Sequence, residues 1–124
     1  MQRISTGSPF EKAIGFSRAI VKGDWCFVSG VTGYDYATMQ MPESVADQAR
    51  NCFATIAGVL AEGGFAMEDV VRVTYILPDA GLVEEVTPAL GAVMGEIRPA
   101  ATMLVAGLSR PEMKIEIEVT AFRG

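Results

Sequence analysis

Apolar positions recur along this chain with two different periods. Over residues 43–62, Val45, Ala49, Cys52, Phe53, Ile56 and Leu60 fall on one stripe of a helix, and Gly63-Gly64 supplies a stop signal. A second stripe, Leu82, Val86, Leu90, Val93 or Met94, and Ile97, predicts another helix. Pro88 lies inside it, so this helix either kinks there or begins with Thr87 as its cap and Pro88 in its first turn. Between the stripes, residues 70–77 are rich in β-branched side chains and end at Pro78, which has no amide to give a ladder, so they read as a buried strand. Residues 16–21 and 25–31 are short apolar stretches separated by Gly23-Asp24, the pattern of a hairpin. Residues 101–108 and 113–122 close the chain as strands. In the latter, Ile115, Ile117 and Val119 alternate with Glu116, Glu118 and Thr120. Residues 33–42 hold no sustained period and read as an exposed loop, which leaves the order ββαβαββ.

Two helices and one sheet make a two-layer α+β sandwich in which the helices cover only one sheet face. The second face of these strands is neither fully polar nor fully apolar, which suits a subunit contact better than open water, so a closed homo-oligomer is expected. With 124 residues, no internal repeat and no low-complexity tract, residues 1–124 read as one domain. Half of the residues are hydrophobic and 20% are charged, enough apolar content to bury roughly two-thirds of the unfolded surface. No run approaches the ~18 apolar residues of a membrane span, and the start of the chain lacks a secretory apolar region, so no membrane partner and a cytoplasmic location are expected.

Charge and composition then narrow the chemistry. A net charge of −5 repels phosphate backbones and argues against nucleic acid as a partner. The absence of histidine removes Ser-His, Cys-His and His-metal sites, and no metal or other cofactor is expected. Cys26 and Cys52 lack the spacing of a zinc or redox pair and read as small buried hydrophobes.

Three ordered segments resemble the RidA/YjgF family, also called L-PSP. Ala13-Ile14-Gly15-Phe16-Ser17-Arg18-Ala19 followed by Phe27-Val28-Ser29-Gly30 is similar to that family's AIGPYSQA and FVSGQ. Asp69-Val70-Val71-Arg72-Val73-Thr74-Tyr75 is similar to its DVVKTTVF strand. Gly95-Glu96-Ile97-Arg98-Pro99-Ala100, with Lys114-Ile115-Glu116-Ile117-Glu118-Val119, is similar to its GEHRPAR and VEIEA. The resemblance implies a chorismate-mutase-like fold, one mixed sheet with two helices on one face, in which the last strand inserts into the middle of the sheet antiparallel to its neighbours. It further implies a homotrimer with ligand clefts between subunits, and hydrolysis of reactive enamines and imines to a carbonyl compound and ammonia.

A 2-imino acid offers a carboxylate and an electrophilic carbon, so such a cleft needs a fixed cation and a positioned water. The family's carboxylate-clamping arginine falls at Ala101, which carries no charge, so activity on 2-imino acids is expected to be lost or altered. By the same resemblance Glu116 is the acid that orients water, and Phe16 keeps the ring of the family's tyrosine without its hydroxyl. Glu116 and Glu118 also fit a plain polar strand face. Arg18 replaces a glutamine and shares a side with Phe16; it either restores a cation to the cleft or is an exposed arginine on an edge strand. Ser29-Gly30 either brings backbone close to a ligand or marks a bulge. Thr102 and Met103 either line the cleft beside Ala101 or pack in the core. The candidate functions are therefore an imine or enamine deaminase acting on a small carbonyl or imine metabolite, a non-catalytic ligand-binding module, and, ranked last for want of a general base and a basic track, an endoribonuclease or translation inhibitor.

Overall fold

In the computed structural model, which describes residues 1–124, the chain runs β1 (Gln2–Ile4), α1 (Pro9–Ile14), β2 (Ala19–Lys22), β3 (Trp25–Thr32), α2 (Val45–Glu62), a single 3-10 turn (Met67–Asp69), β4 (Val70–Leu77), α3 (Leu82–Met94), β5 (Ala100–Val105) and β6 (Glu116–Phe122). The strands form one mixed sheet in the order β1-β2-β3-β6-β4-β5, antiparallel throughout except for the parallel β4–β5 pair at one edge. β6 therefore lies between β3 and β4, as the family resemblance implies, and not against β5, the strand that precedes it. A parallel β4–β5 pair needs a crossover, and α3 supplies it.

α2 packs on β3 and β6 and against α3, so the core lies between the helices and one sheet face. The whole stripe read from the sequence, Val45, Ala49, Cys52, Phe53, Ile56 and Leu60, is buried in it. Ser44 caps α2 by accepting from Asp47 N (3.1 Å), two residues later than the sequence pattern begins. From β6, Ile117, Val119 and Ala121 point into the core, while Glu116, Glu118 and Thr120 alternate with them. Both cysteines are buried and unpaired, and Cys52 Sγ donates to Val31 O (3.2 Å). No helix is long and apolar enough to cross a membrane.

Three expectations need correction, and of the two extents left open for the second helix the longer one holds. β1 and the one-and-a-half-turn α1 are additional elements, too short for any period to register. The first long strand begins at Ala19, because residues 16–18 leave α1 through Gly15 (φ 90°) as an irregular crossing segment. α3 starts at Leu82 and continues through Pro88: Asp79 initiates it by accepting from Gly81 N (2.8 Å) and Leu82 N (3.1 Å), and Thr87 is an interior residue whose Oγ1 donates to Val83 O (2.6 Å). Residues 33–42 are indeed a loop, but they are not all exposed, since Tyr34 is buried and Tyr36 half-buried.

The face away from α2 and α3 carries Trp25, Phe27 and Phe122 at 43, 49 and 36% exposure, with the Trp25 and Phe122 rings 4.5 Å apart. Ser29, Arg72, Thr74 and Glu118 share the depression on that face. This is the mixed surface that the sequence pattern anticipates.

Gln48 joins α2 to both loops at one end of the sheet. Fully buried, its Nε2 donates to Pro42 O (2.9 Å) and Glu112 O (3.0 Å), and its Oε1 accepts from Lys114 N (2.9 Å). Gln48→Ala removes three hydrogen bonds to partly buried backbone groups and is expected to cost about 2 kcal/mol, read as a lowered urea midpoint at unchanged slope.

Candidate functional site

The irregular segment after α1 and the bulge in β3 build a pocket at the Gln48 end of the sheet. Ser29 and Gly30 interrupt the β3–β6 register, which shifts between Val28 and Val31. Ser29 turns its hydroxyl back to donate to Ser17 O and Arg18 O, locking the bulge to the crossing segment. Gly30 faces Glu116: a Cβ built there would lie 2.7 Å from Glu116 Cδ. Glycine leaves room for the carboxylate, and of the two readings of Gly30 the register shift bears out the bulge.

Arg18 is not the exposed edge arginine. Its residue is 1% exposed, its guanidinium lies 4.7 Å from the Tyr36 ring centroid and 5.3 Å from that of Phe16, and Nη1 donates to Gly30 O (2.7 Å). Glu11, presented by α1, approaches Nε at 3.8 Å through Oε2, too far for a hydrogen bond. That same oxygen already accepts from Thr6 N (3.0 Å) and Thr6 Oγ1 (2.6 Å). Burial pushes the Glu11 carboxyl up, but the Thr6 bonds and the Arg18 charge outweigh it and hold the group below its ordinary value.

Glu116, at the start of β6, closes the other side of the pocket with no hydrogen bond of its own. Burial raises its carboxyl above the ordinary value, Glu118 adds to the shift, and Arg18 opposes it. Apolar walls come from Phe10, Ile14, Phe16 and Met113, Thr32, Tyr36 and Ser109 add polar groups, and the cavity holds about 130 Å³. Tyr36 is set in place by its hydroxyl, which accepts from Thr32 N (3.0 Å). A half-buried carboxyl held above its ordinary pKa and a guanidinium between two rings thus share a small space with apolar and polar walls, an arrangement suited to moving a proton at a polar ligand.

Of the residues singled out in the sequence, Phe16, Arg18, Gly30 and Glu116 converge here. Ser29 supports the pocket through its hydroxyl and lines the depression on the open sheet face with Glu118. Ala101, Thr102 and Met103 lie elsewhere, exposed on the edge strand β5, so they do not pack in the core. Glu116 shares a cross-strand row with Thr32, Ile76 and Leu104, which puts Ala101 two strands across and three residues along from it. That separation is roughly 14 Å from standard sheet spacings. Glu11, Thr32, Tyr36 and Met113 escaped the sequence reading. Glu11 had one faint signal, an acid in the first turn after Ser8-Pro9, where Ser8 accepts from Phe10 N (3.2 Å) as an N-cap.

Fold and pocket together define a small α+β protein with a half-covered sheet and an acid and a guanidinium enclosed at one end. Residues 6–123 match the family described as Endoribonuclease L-PSP, and the chain belongs to that family, which also carries the names YjgF/YER057c/UK114 and RidA. The chain superposes on Rv2704 of Mycobacterium tuberculosis, a member of the YjgF/YER057c/UK114 family, with a TM-score of 0.88 at 32% identity over 98% of each chain. It is 30% identical to SCO2049 of Streptomyces coelicolor over all of this chain and 93% of that one. It is 29% identical to the rat 2-iminobutanoate/2-iminopropanoate deaminase over all of this chain and 92% of the relative.

Gly30→Ala drives a methyl into the far end of the flexible Glu116 side chain, which can swing away. The variant is expected to fold with a loss of about 1 kcal/mol. Carboxyl NMR titration should show Glu116 returning toward 4.5, the ordinary value from which burial raises it.

Proposed function

We propose that the protein is a homotrimeric hydrolase of small imines, with Glu116 handling the attacking water and with carboxylate recognition altered by alanine at position 101. The observation that carries this reading is the half-buried Glu116 carboxyl that shares a small pocket with Arg18. The names of the mammalian relatives support the reaction class.

In this reading Glu116 takes a proton from water as the water oxygen bonds to the imine carbon, and the imine nitrogen takes a proton from solvent, giving a carbinolamine. The acid form of Glu116 returns its proton to the nitrogen as the C–N bond breaks, and the hydroxyl proton passes back to solvent as the carbonyl forms. The sum is imine plus water to carbonyl compound plus ammonia. A carboxyl raised toward working pH serves both steps better than one at its ordinary value. The exposed aromatics of the open sheet face and the uncovered β5 edge are the surfaces a trimer would cover, and β5 would then bring Ala101, Thr102 and Met103 to a neighbouring subunit's pocket. The depression on that face is lined by Arg3, Lys12 and Arg72 interspersed with Glu11 and Glu118, and the chain carries a net charge of −5, so RNA cleavage finds little support. Ala101 does favour one second reading, a ligand-binding module without turnover.

Ammonia release from 2-iminobutanoate, generated in situ by an amino acid oxidase, tests the chemistry. Glu116→Gln should lower the rate at least ~100-fold, the size of a general-base contribution. The wild-type rate should rise with pH through the raised pKa of Glu116, because the base must first lose its proton. Ala101→Arg should increase the rate, and full activity in Glu116→Gln would refute the assignment. Light scattering at micromolar concentration should give the mass of three chains; a single-chain mass would remove any site shared between subunits.

A further inference from the structure

Arg18 grips the β3 bulge with both its backbone and its side chain. Ser29 and Gly30 fall outside the β3–β6 register, so their polar groups need other partners. The Arg18 carbonyl accepts from Ser29 N (3.0 Å) and Ser29 Oγ (2.8 Å), and its guanidinium donates through Nη1 to Gly30 O (2.7 Å). Gly30 is in turn the surface on which the Glu116 carboxyl rests, since a Cβ there would meet Glu116 Cδ, Oε2 and Cγ at 2.7, 2.9 and 3.0 Å. The guanidinium is itself held: its carbon lies 4.7 Å from the Tyr36 ring centroid and 5.3 Å from that of Phe16, and Glu11, which does not line the cavity, stands 3.8 Å from Nε. Phe16, Gly30 and Tyr36 all line the cavity with Glu116, so one side chain ties three of its walls together.

We propose that Arg18 is a positioning residue for Glu116: it holds the Gly30 peptide against the carboxyl and sets a fixed positive charge in the same pocket, and so acts on the reaction through Glu116 rather than on the substrate. The proposal rests on the reading above, in which Glu116 handles the water. The other groups around Glu116 leave this part to Arg18. Glu118 on the same strand is a like charge, and Cys52 of α2 is a thiol that burial pushes up and keeps neutral. Tyr36 of the 33–42 loop has its hydroxyl bonded to Thr32 N, and the cross-strand partners Thr32 and Ile76 carry no charge. Arg18 alone opposes the upward pull of burial and of Glu118 on the carboxyl. A carboxyl freed of that charge keeps its proton to higher pH, and one freed of the Gly30 contact loses its aim at the water.

Two variants of the full chain separate the hold from the charge. Arg18→Lys keeps the charge and loses the planar fork, whereas Arg18→Met combined with Glu11→Gln removes both buried charges together, so that neither is left alone in the fold. Carboxyl NMR titration of the resting protein should place Glu116 about one pH unit higher in the double variant and near its wild-type value in Arg18→Lys. With 2-iminobutanoate, the double variant should lower kcat about 10- to 100-fold while KM stays within about threefold. The rising limb of its pH–rate profile should move up with Glu116, and Arg18→Lys should keep the limb in place with a kcat between the other two. A Glu116 titration unmoved in the folded double variant would overturn the proposal, and so would a raised KM at unchanged kcat, because Arg18 would then be touching substrate. If the wild type hydrolyses no imine, the hydrolytic reading fails, and a displaced Glu116 titration still upholds the grip of Arg18 on the acid. If hydrolysis depends on Glu116 but not on Arg18, that reading stands and this one falls.

Discussion

The insertion of β6 between β3 and β4 is the constraint on which the rest of the molecule depends. Its inward side chains, Ile117, Val119 and Ala121, sit under α2 at the middle of the core. Its first residue, Glu116, is paired on both sides, with Thr32 of β3 and Ile76 of β4, so the carboxylate is carried on a strand that cannot shift without breaking two ladders. A one-residue slip would exchange the two faces and bury Glu116, Glu118 and Thr120 in the core, which the apolar alternation forbids. The bulge at Ser29-Gly30 answers this rigidity by opening β3 where the carboxylate needs space.

Around that fixed acid, the pocket is organised by electrostatics in three layers. Glu116 faces the cavity with a carboxyl raised by burial, Arg18 stands across from it between two aromatic rings, and Glu11 backs Arg18 while being held by Thr6. Each layer comes from a different part of the chain, and each uses the backbone of another: Arg18 donates to Gly30 O, and Gly30 makes room for Glu116. Two aromatic faces, the Gly30 carbonyl and the nearby Glu11 carboxylate are what hold the Arg18 cation inside the fold.

The two long helices and the alternation in β6 could be read from the chain because a helix stripe or a half-buried strand imprints its period on consecutive residues. β1 and α1 could not, since three and six residues are shorter than the window in which a period shows. Pro88 left two extents open for the second helix, because a proline deletes one amide; a helix held by Val86, Ala89, Leu90 and Met94 against the core absorbs that loss. Glu116, Phe16 and Gly30 were found through ordered motifs, but the burial of Arg18 was not, because a single charged residue in an irregular segment has no periodicity that reveals its side.

By itself the sequence determined the α+β class, the helical stripes, the inward face of the last strand and, through the resemblance of ordered segments, the family. These are properties of neighbours along the chain, where spacing alone decides which side chains share a face. Only the tertiary structure decided that Arg18 lies buried between Phe16 and Tyr36, that Glu11 and Thr6 stand behind it, and that Ala101 is exposed on a distant edge strand. Those relations join residues from four separate segments, and they are set by how α1, the 33–42 loop and the β3 bulge pack around β6, a matter of volume and hydrogen bonding that no local pattern encodes.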